Sequence, residues 1–326
     1  MSFDSELLKG LREAGDGRIS EAELSHRLKA SRASIRAHVE ELRSLGYDIE
    51  ASPHLGYGLL SSPDALHADD LVSRLGKTKV IGRDIRIFAK TTSTNNVVEK
   101  LASDGLKEGV VVFAEAQTQA RGRLGRKWLA PARKGLWFSI LLRPRLTPQE
   151  TTRVTVASAT AIRRVIESET TLSAKIKWPN DIVIGGRKVS GILTELHAEL
   201  DRVKYVVLGI GVNVNLSQSD FPVNLRSLAT SLRMELGRSV ARPELAAAVL
   251  EALDRDYARI SSEDFPSLAD EWEQHCETLG HQIIIRIGER EIRGRAESLD
   301  EDGALLLRSE HGHLERIIGG DVTLEK

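Results

Sequence analysis

The stretch Glu115–Trp128, EAQTQARGRLGRKW, gathers four basic side chains, Arg121, Arg123, Arg126 and Lys127, around Gly122 and Gly125. Glycines let a backbone turn tightly beside a ligand, and guanidinium groups offer paired donors, so the pattern suits an anion such as phosphate. It is not a dinucleotide fingerprint, because Ala120 stands at the first glycine position and arginines fill the spaces that a Rossmann turn keeps small. Nor does it end in the Gly-Lys-Ser/Thr of a P-loop. A basic surface loop with two turn glycines fits the spacing equally well, but Trp128 adds an indole able to stack on a base.

Apolar runs rich in β-branched residues surround this loop. VVVFAE leads into it, LWFSILL follows, and KIKW, DIVI and YVVLGIGVNV come later, interleaved with longer helical stretches. That alternation predicts an α/β or α+β catalytic domain over residues 81–274. Three further clusters fall inside it. TTSTNN, Thr91–Asn96, predicts a helix starting near Asn95, with hydroxyls and N–H groups that serve as an ordinary cap or face a ligand. In KWPNDIVIGGRKVSGILTEL, Lys177–Leu196, turn chemistry accounts for Pro179 and Asn180, but not for Lys188 close to Gly191. An ammonium there can neutralise a carboxylate and then an acyl phosphate, and Asp181 can orient an amine or a metal ion. GIGVNVN, Gly209–Asn215, has glycines suited to close backbone approach, although strand ends commonly carry such residues.

A chain of 326 residues exceeds one ordinary domain, so two or three are expected. With 41% hydrophobic and 29% charged residues the whole chain should fold, which argues against a long disordered tract. No apolar run approaches the roughly 20 residues of a membrane span, and MSFDSELLKG lacks the basic-then-apolar order of a secretion signal. A cytoplasmic address is therefore expected. Cys276, the only cysteine, cannot form an internal disulfide and reads as a packed apolar side chain. The nine histidines show no metal-ligand spacing, so no protein-held metal is expected. A formal net charge of −1 means that any nucleic-acid contact must come from a local patch.

Such a patch lies near the N-terminus. ISEAELSHRL places Ser20 and Glu23 in capping-box spacing with Leu24 and Leu28 one turn apart, predicting a short helix. After a tight turn Ser31 can cap a second helix with Ile35, Val39 and Leu42 on one face and Gly46 at its end. Tyr47–Ala51 and Tyr57–Leu60, across a Pro53–Gly56 turn, predict a hairpin wing, so residues 1–62 read as a winged helix-turn-helix. Residues 1–60 hold 8 basic and 10 acidic side chains, yet no acid lies between Leu24 and Val39. The basic cluster there either contacts phosphates, with Arg27, Lys29, Arg32, Ser34, Arg36 and His38 toward DNA, or is a solvated helix face. Residues 63–80, which include the tail of SSPDALHADD and a short helical pattern ending at Leu75 and Gly76, read as a linker. From 275 to 326, short β runs are separated by turn signals at Gly288, Asp302-Gly303, His311-Gly312 and Gly319-Gly320, predicting a small SH3-like β-barrel.

Taken in order, TTSTNN, QTQARGRLGRKW, KWPNDIVIGGRKVSGILTE and GIGVNVN resemble the biotin-protein ligases. The resemblance covers nearly the whole chain. A winged helix-turn-helix in front and a β-barrel behind are the layout of the family's bifunctional members, which are also biotin-operon repressors. It implies an α+β multidomain protein that converts biotin and ATP, with Mg²⁺, to biotinyl-5′-AMP. The biotinyl group then passes to a lysine of biotin carboxyl carrier protein. By the same resemblance Ser93, Thr94, Asn95, Gln117, Gly122 and Lys188 surround biotin, Arg121 and Arg123 lie on its carboxylate and phosphate side, and Gly191 leaves room beside it. Arg123, Arg126, Trp128, Asn180 and Asn213 are implied for ATP or the adenylate, and Arg121, Arg123, Asp181 and Lys188 for catalysis. Operator DNA, the carrier protein and a second copy of the chain are the implied partners. Where the family's loop commonly reads GRGRRGR, this chain has ARGRLGR, with Ala120 for glycine and Leu124 for a basic residue. Competing possibilities are a lipoate-protein ligase, a ligase that no longer binds DNA, and a biotin sensor without turnover.

Overall fold

The computed structural model describes residues 2–15, 17–199, 202–260 and 264–324. They divide into two compact units, one of residues up to 77 together with 241–247, the other of 78–240 and 248 onward.

In the first unit, α1 (Phe3–Glu13), α2 (Glu21–Leu28) and α3 (Arg32–Ser44) precede the hairpin β1 (Asp48–Ser52) and β2 (Gly56–Ser61) and the short helix α4 (Ala68–Arg74). The caps are those the sequence predicts: Ser20 accepts from the Glu23 N–H and Ser31 from the Ser34 N–H, each at 3.1 Å. Lys29 closes α2 in the left-handed region with φ 51°. Ile35, Val39 and Leu42 pack with Leu24, Ile49 and Tyr57 in one core. Helix α1, which the sequence patterns above do not predict, adds Leu7, Leu8 and Leu11 to that core. Backbone bonds of 2.9 Å in both directions tie Ile19 to Tyr57, which stitches the wing to the helices. The segment expected as a linker, 63–80, is built into this unit up to residue 77: α4 buries Asp70, whose carboxylate pairs with Arg12 and Arg74.

The second unit centres on a seven-stranded mixed sheet. Its strands are β3 (Asp84–Phe88), β4 (Val110–Ala114), β5 (Gly135–Leu142), β6 (Lys175–Lys177), β7 (Asp181–Ile184), β8 (Arg187–Glu199) and β9 (Arg202–Asn213). Their order is β3-β4-β5-β9-β8-β7-β6, with only β3 and β4 parallel. Helices α5 (Thr94–Ser103), α6 (Thr152–Thr170), α7 (Leu232–Leu236) and α9 (Phe265–Gln274) belong to it, as does α8 (Arg242–Tyr257) from residue 248 onward. All of β5 is buried, as a strand covered on both faces must be. On α8 the Asp254 carboxylate accepts the backbone N–H groups of Lys79, Val80 and Ile81 at 2.6–2.8 Å, which fixes the entry to the sheet. The chain ends in β10 (Gln282–Ile287), β11 (Arg290–Leu299), β12 (Leu305–Ser309), β13 (Leu314–Ile317) and β14 (Asp321–Leu324), an antiparallel sheet in the order β13-β12-β11-β10-β14. No helix among the described residues is long and apolar enough to cross a membrane.

Candidate active site

The register of the large sheet decides where the site forms. Gly211 of β9 lies opposite Trp137 of β5 and Gly191 of β8, Gly209 opposite Ser139 and Leu193, and Asp181 of β7 opposite Gly191. Residues directly opposite share a face, and alternate residues along a strand share it too. One face of the sheet therefore presents Asp181, Gly191, Leu193, Glu195, Gly209, Gly211 and Asn213. Its glycines make a floor on which side chains from other elements lie. A Cβ at Gly211 would fall 2.6 Å from the Trp128 ring, one at Gly191 3.0 Å from Trp128 and Lys188, and one at Gly209 2.3 Å from Asn95 Oδ1. This is the physical content of GIGVNVN.

Above the floor is a cavity of about 540 Å³. Its lining includes Ser93, Thr94, Asn95, Gln117, Arg121, Gly122, Arg123, Arg126, Trp128, Asn180, Asp181, Lys188, Gly191 and Asn213, which brings the ligand residues of all four sequence clusters into one space. The basic stretch closes on itself. The Gly122 N–H donates to the Arg126 carbonyl at 2.6 Å and the Trp128 N–H to the Ala120 carbonyl at 3.0 Å, so the loop is a narrow hairpin held at both ends. Leu124 sits at its tip with φ 54° and a largely exposed side chain. Ala120 is buried with Trp137, Leu216 and Phe221 and has no positive φ, so nothing there demands glycine.

One end of the cavity is a polar network. Ser93 stands at the N-cap of α5 without a capping side-chain bond, and the Thr94 N–H and hydroxyl donate to Gln117 Oε1 at 2.7 and 3.3 Å. Thr94 Oγ1 lies 2.7 Å from Ser139 Oγ, which donates to Asn95 Oδ1. Asn95 Nδ2 donates to Glu195 Oε2 at 2.6 Å, and Arg121 binds both oxygens of Glu195 at 2.9 Å while its Nη1 reaches Asn96 Oδ1 at 2.5 Å. Burial pushes the Glu195 carboxyl up, but the bonds from Arg121 and Asn95 outweigh it and hold the group below its ordinary value. Sequence reasoning missed Ser139 and Glu195. Ser139 had a signal, being the single polar residue of LWFSILL.

The other end is cationic. Arg123 is half-buried and donates to Asn180 Oδ1 at 3.3 Å. Desolvation lowers its pKa, against the pull of the nearby carboxylates of Asp181 and Asp321. Lys188 Nζ lies 2.5 Å from Asp181 Oδ1 and 5.2 Å from the centroid of the Trp128 ring. The buried Trp128 Nε1–H meets no acceptor among the described residues. Asn180 also donates to the Ile192 carbonyl at 2.6 Å, and Asn213 donates to the Thr230 carbonyl at 3.0 Å, steadying the segment before α7. The C-terminal sheet reaches this end as well. Arg286 and residues 320–323 line the cavity, Asp321 pairs with Arg126, and Gly319 lies against the Arg123 guanidinium.

In the first unit the residues expected at DNA separate. Arg32 and Arg36 are exposed, at 66% and 67% of their side chains, and both approach Glu21, Arg36 at 2.8 Å and Arg32 at 3.9 Å. Arg27 pairs with Glu13 at 2.6 Å. Lys29 occupies the left-handed cap, and Ser34 is half-buried beside the Ser31 cap. His38 turns toward α1, its Nδ1 2.7 Å from Asp4 and its ring 4.2 Å from Phe3.

Three family models match the chain: the biotin/lipoate A/B protein ligase family over residues 87–213, an HTH domain over 5–58, and the biotin protein ligase C-terminal domain over 278–324. The bifunctional ligase/repressor BirA of Bacillus subtilis is 35% identical over 320 residues, 98% of each chain. Its counterpart in Escherichia coli is 28% identical over 93% of this chain and 91% of its own. Among solved structures, a biotin protein ligase from Aquifex aeolicus in complex with biotin and ATP superposes with a TM-score of 0.64 at 29% identity, covering 75% of this chain and 99% of that one.

Proposed function

The chain belongs to the family of bifunctional biotin ligase/repressors, and on that premise we propose how its residues divide the work. The enzyme activates biotin with ATP and transfers it to a lysine of biotin carboxyl carrier protein, and the winged helix-turn-helix is its DNA-binding repressor module. The observation that carries the residue assignments is the polarity of the cavity, a hydrogen-bonding network in which Arg121 balances the Glu195 carboxylate at one end and the cations Arg123 and Lys188 at the other.

Ser93, Thr94, Asn95 and Gln117 supply the paired donors and acceptors that a ureido ring requires, at the positive end of the α5 dipole. Gly122 and Gly191 give room beside the ligand, and Lys188 and Arg123 meet its carboxylate. A carboxylate oxygen then attacks the α-phosphorus of ATP and pyrophosphate leaves. The ammonium and guanidinium groups offset the charge that grows on the phosphoryl oxygens. Arg126 faces the phosphates, Trp128 stacks on adenine and gives its indole N–H an acceptor, and Asn180 and Asn213 hold the walls of the nucleotide end.

In the second step a carrier lysine amine attacks the acyl carbon and AMP leaves with the bonding pair. Asp181, freed from Lys188 when that ammonium turns to the ligand, orients the amine. Its carboxylate is the kind of hard oxygen donor that Mg²⁺ takes together with substrate phosphates, so the wall fits that ion. When bound, Mg²⁺ would offset phosphate charge. On DNA, Arg32 and Arg36 contact phosphates from α3, and two copies of the chain read paired half-sites.

Purified protein given ATP, Mg²⁺ and biotin is expected to release pyrophosphate in proportion to biotin and to label one lysine of a biotin carboxyl carrier domain. Pyrophosphate release indifferent to biotin, or stimulated equally by lipoate, would overturn the ligase assignment.

A further inference from the structure

We propose that Glu195 is a positioning residue of the ligase reaction, holding Arg121 out of the set of phosphate-facing cations and orienting Asn95 toward biotin. The inference rests on the ligase assignment above.

Glu195 stands four residues after Gly191 on β8, on the face that carries the glycine floor. Its carboxylate joins three separate segments. Oε1 accepts from Arg121 Nε of the ligand loop, and Oε2 accepts from Arg121 Nη2 and from Asn95 Nδ2 at the start of α5. Arg121 Nη1 is taken by Asn96 Oδ1, so the two outer nitrogens and Nε of this guanidinium are all engaged by protein. Paired bidentate bonds fix orientation as well as charge, so Arg121 is neutralised and its plane is set. Of the loop's remaining cations that line the cavity, Arg123, Arg126 and Lys127, Arg126 holds an exposed pair with Asp321 that exchanges readily for another anion.

Asn95 is held the same way from both sides. Its Oδ1 accepts from Ser139 and its Nδ2 donates to Glu195, above a floor glycine where any Cβ would collide with it. An amide pinned at both ends presents one fixed edge to the cavity it lines. Removing the charge at position 195 loosens Arg121 and Asn95 together, and both lie toward the neutral end of the site. The chemistry at Lys188 and Arg123 is untouched. The signature is a split: biotin affinity and retention of the adenylate suffer, while ATP affinity does not.

The test uses the full chain with Glu195→Gln, Glu195→Asp, Arg121→Gln and the double variant Glu195→Gln/Arg121→Gln. Melting temperature, pyrophosphate release at varied biotin and ATP, and loss of biotinyl-AMP from the isolated complex are measured for each. Glu195→Gln should raise the KM for biotin and the rate of adenylate loss by about tenfold, as expected for a broken charge-assisted pair, with the KM for ATP within about twofold. Glu195→Asp should recover part of the effect. The double variant should be no worse than Glu195→Gln alone, because that variant already breaks the pair with Arg121. Equal rises in both KM values, additive effects in the double variant, or unchanged adenylate loss in variants that melt like the parent would overturn the proposal. Failure of the parent itself to release pyrophosphate with biotin would sink the ligase assignment instead, a separate outcome.

Discussion

The chain has two arginine clusters that look alike as sequence and differ in three dimensions. Arg27, Arg32 and Arg36 lie on the helices of the winged unit, and Arg121, Arg123 and Arg126 lie in the ligand loop. On the helices the partners are Glu13 and Glu21, and Arg32 and Arg36 stay about two-thirds exposed. Ion pairs at such exposure are worth roughly 0–1 kcal/mol and exchange readily for a phosphate. In the loop Arg121 is bound bidentately, and Arg123 is half-buried against Asn180 and Gly319 beside a cavity. Lower solvent exposure makes the charges of Arg121 and Arg123 count for more, whereas Arg126 is as exposed as Arg36. On the roles proposed above, the first cluster associates and the second does chemistry, and the partial burial of Arg121 and Arg123 rather than charge count distinguishes them.

The difference predicts its largest effect at Arg123. Arg123→Ala removes a desolvated cation from the cationic end of the site, and biotin-dependent kcat/KM for pyrophosphate release should fall about 10²- to 10³-fold, as when one preorganised donor is lost. DNA binding at fixed biotinyl-AMP saturation should not change. If the same variant loses less than about fivefold, roughly 1 kcal/mol, the contrast between the two clusters is unsupported.

Much of the fold and of the site is legible in the amino-acid sequence. Capping serines at positions 20 and 31, the apolar stripe of α3 and the alternation of the β runs are local signals, and local physics produces those elements. The four ligand motifs are legible for the same reason, since each is a compact constellation. Helix α1 escapes such a reading because LKGLREAGDG looks glycine-rich. In the structure Gly10 lies against Leu24 and Ile19, where a Cβ would sit 3.4 Å from Leu24 Cδ2, so it serves helix packing and not a turn. Glu195 could not be assigned without the sheet register, which alone places it beside Asn95 and Arg121. The approach of Gly319 and Asp321 to the loop joins residues almost 200 positions apart in sequence, and no local pattern encodes it. Likewise the acids that meet the basic run, Asp4 and Glu21 against α3 and Glu13 against Arg27 of α2, lie outside that run, so a stretch without acids conceals paired side chains.

A smaller effect is expected on the helix side. Arg36→Ala should weaken operator binding by several-fold and lower the slope of log affinity against log salt by about 1, the mark of one lost phosphate contact. Glu21→Gln should do the reverse, strengthening binding about two- to threefold at low salt, because Arg32 and Arg36 no longer exchange a carboxylate for the phosphate. Pyrophosphate release should be the same in both variants. Fluorescence anisotropy on labelled duplex across a salt series gives these slopes, and a Glu21→Gln variant that binds more weakly would mean that the ion pairs hold the reading helix in shape.

The smallest effect belongs to Ala120, which stands where the loop pattern that this chain resembles has glycine. Its methyl is buried with Trp137, Leu216 and Phe221, its carbonyl accepts the Trp128 N–H, and its φ is not positive. Alanine at such a position narrows the open ensemble of the loop while costing the closed hairpin nothing. Ala120→Gly should therefore weaken closure by about 1 kcal/mol, from regained backbone freedom and one exposed methyl, and release biotinyl-AMP roughly fivefold faster. Adenylate loss from the isolated complex measures this directly. A slower release from Ala120→Gly would mean that alanine strains the hairpin.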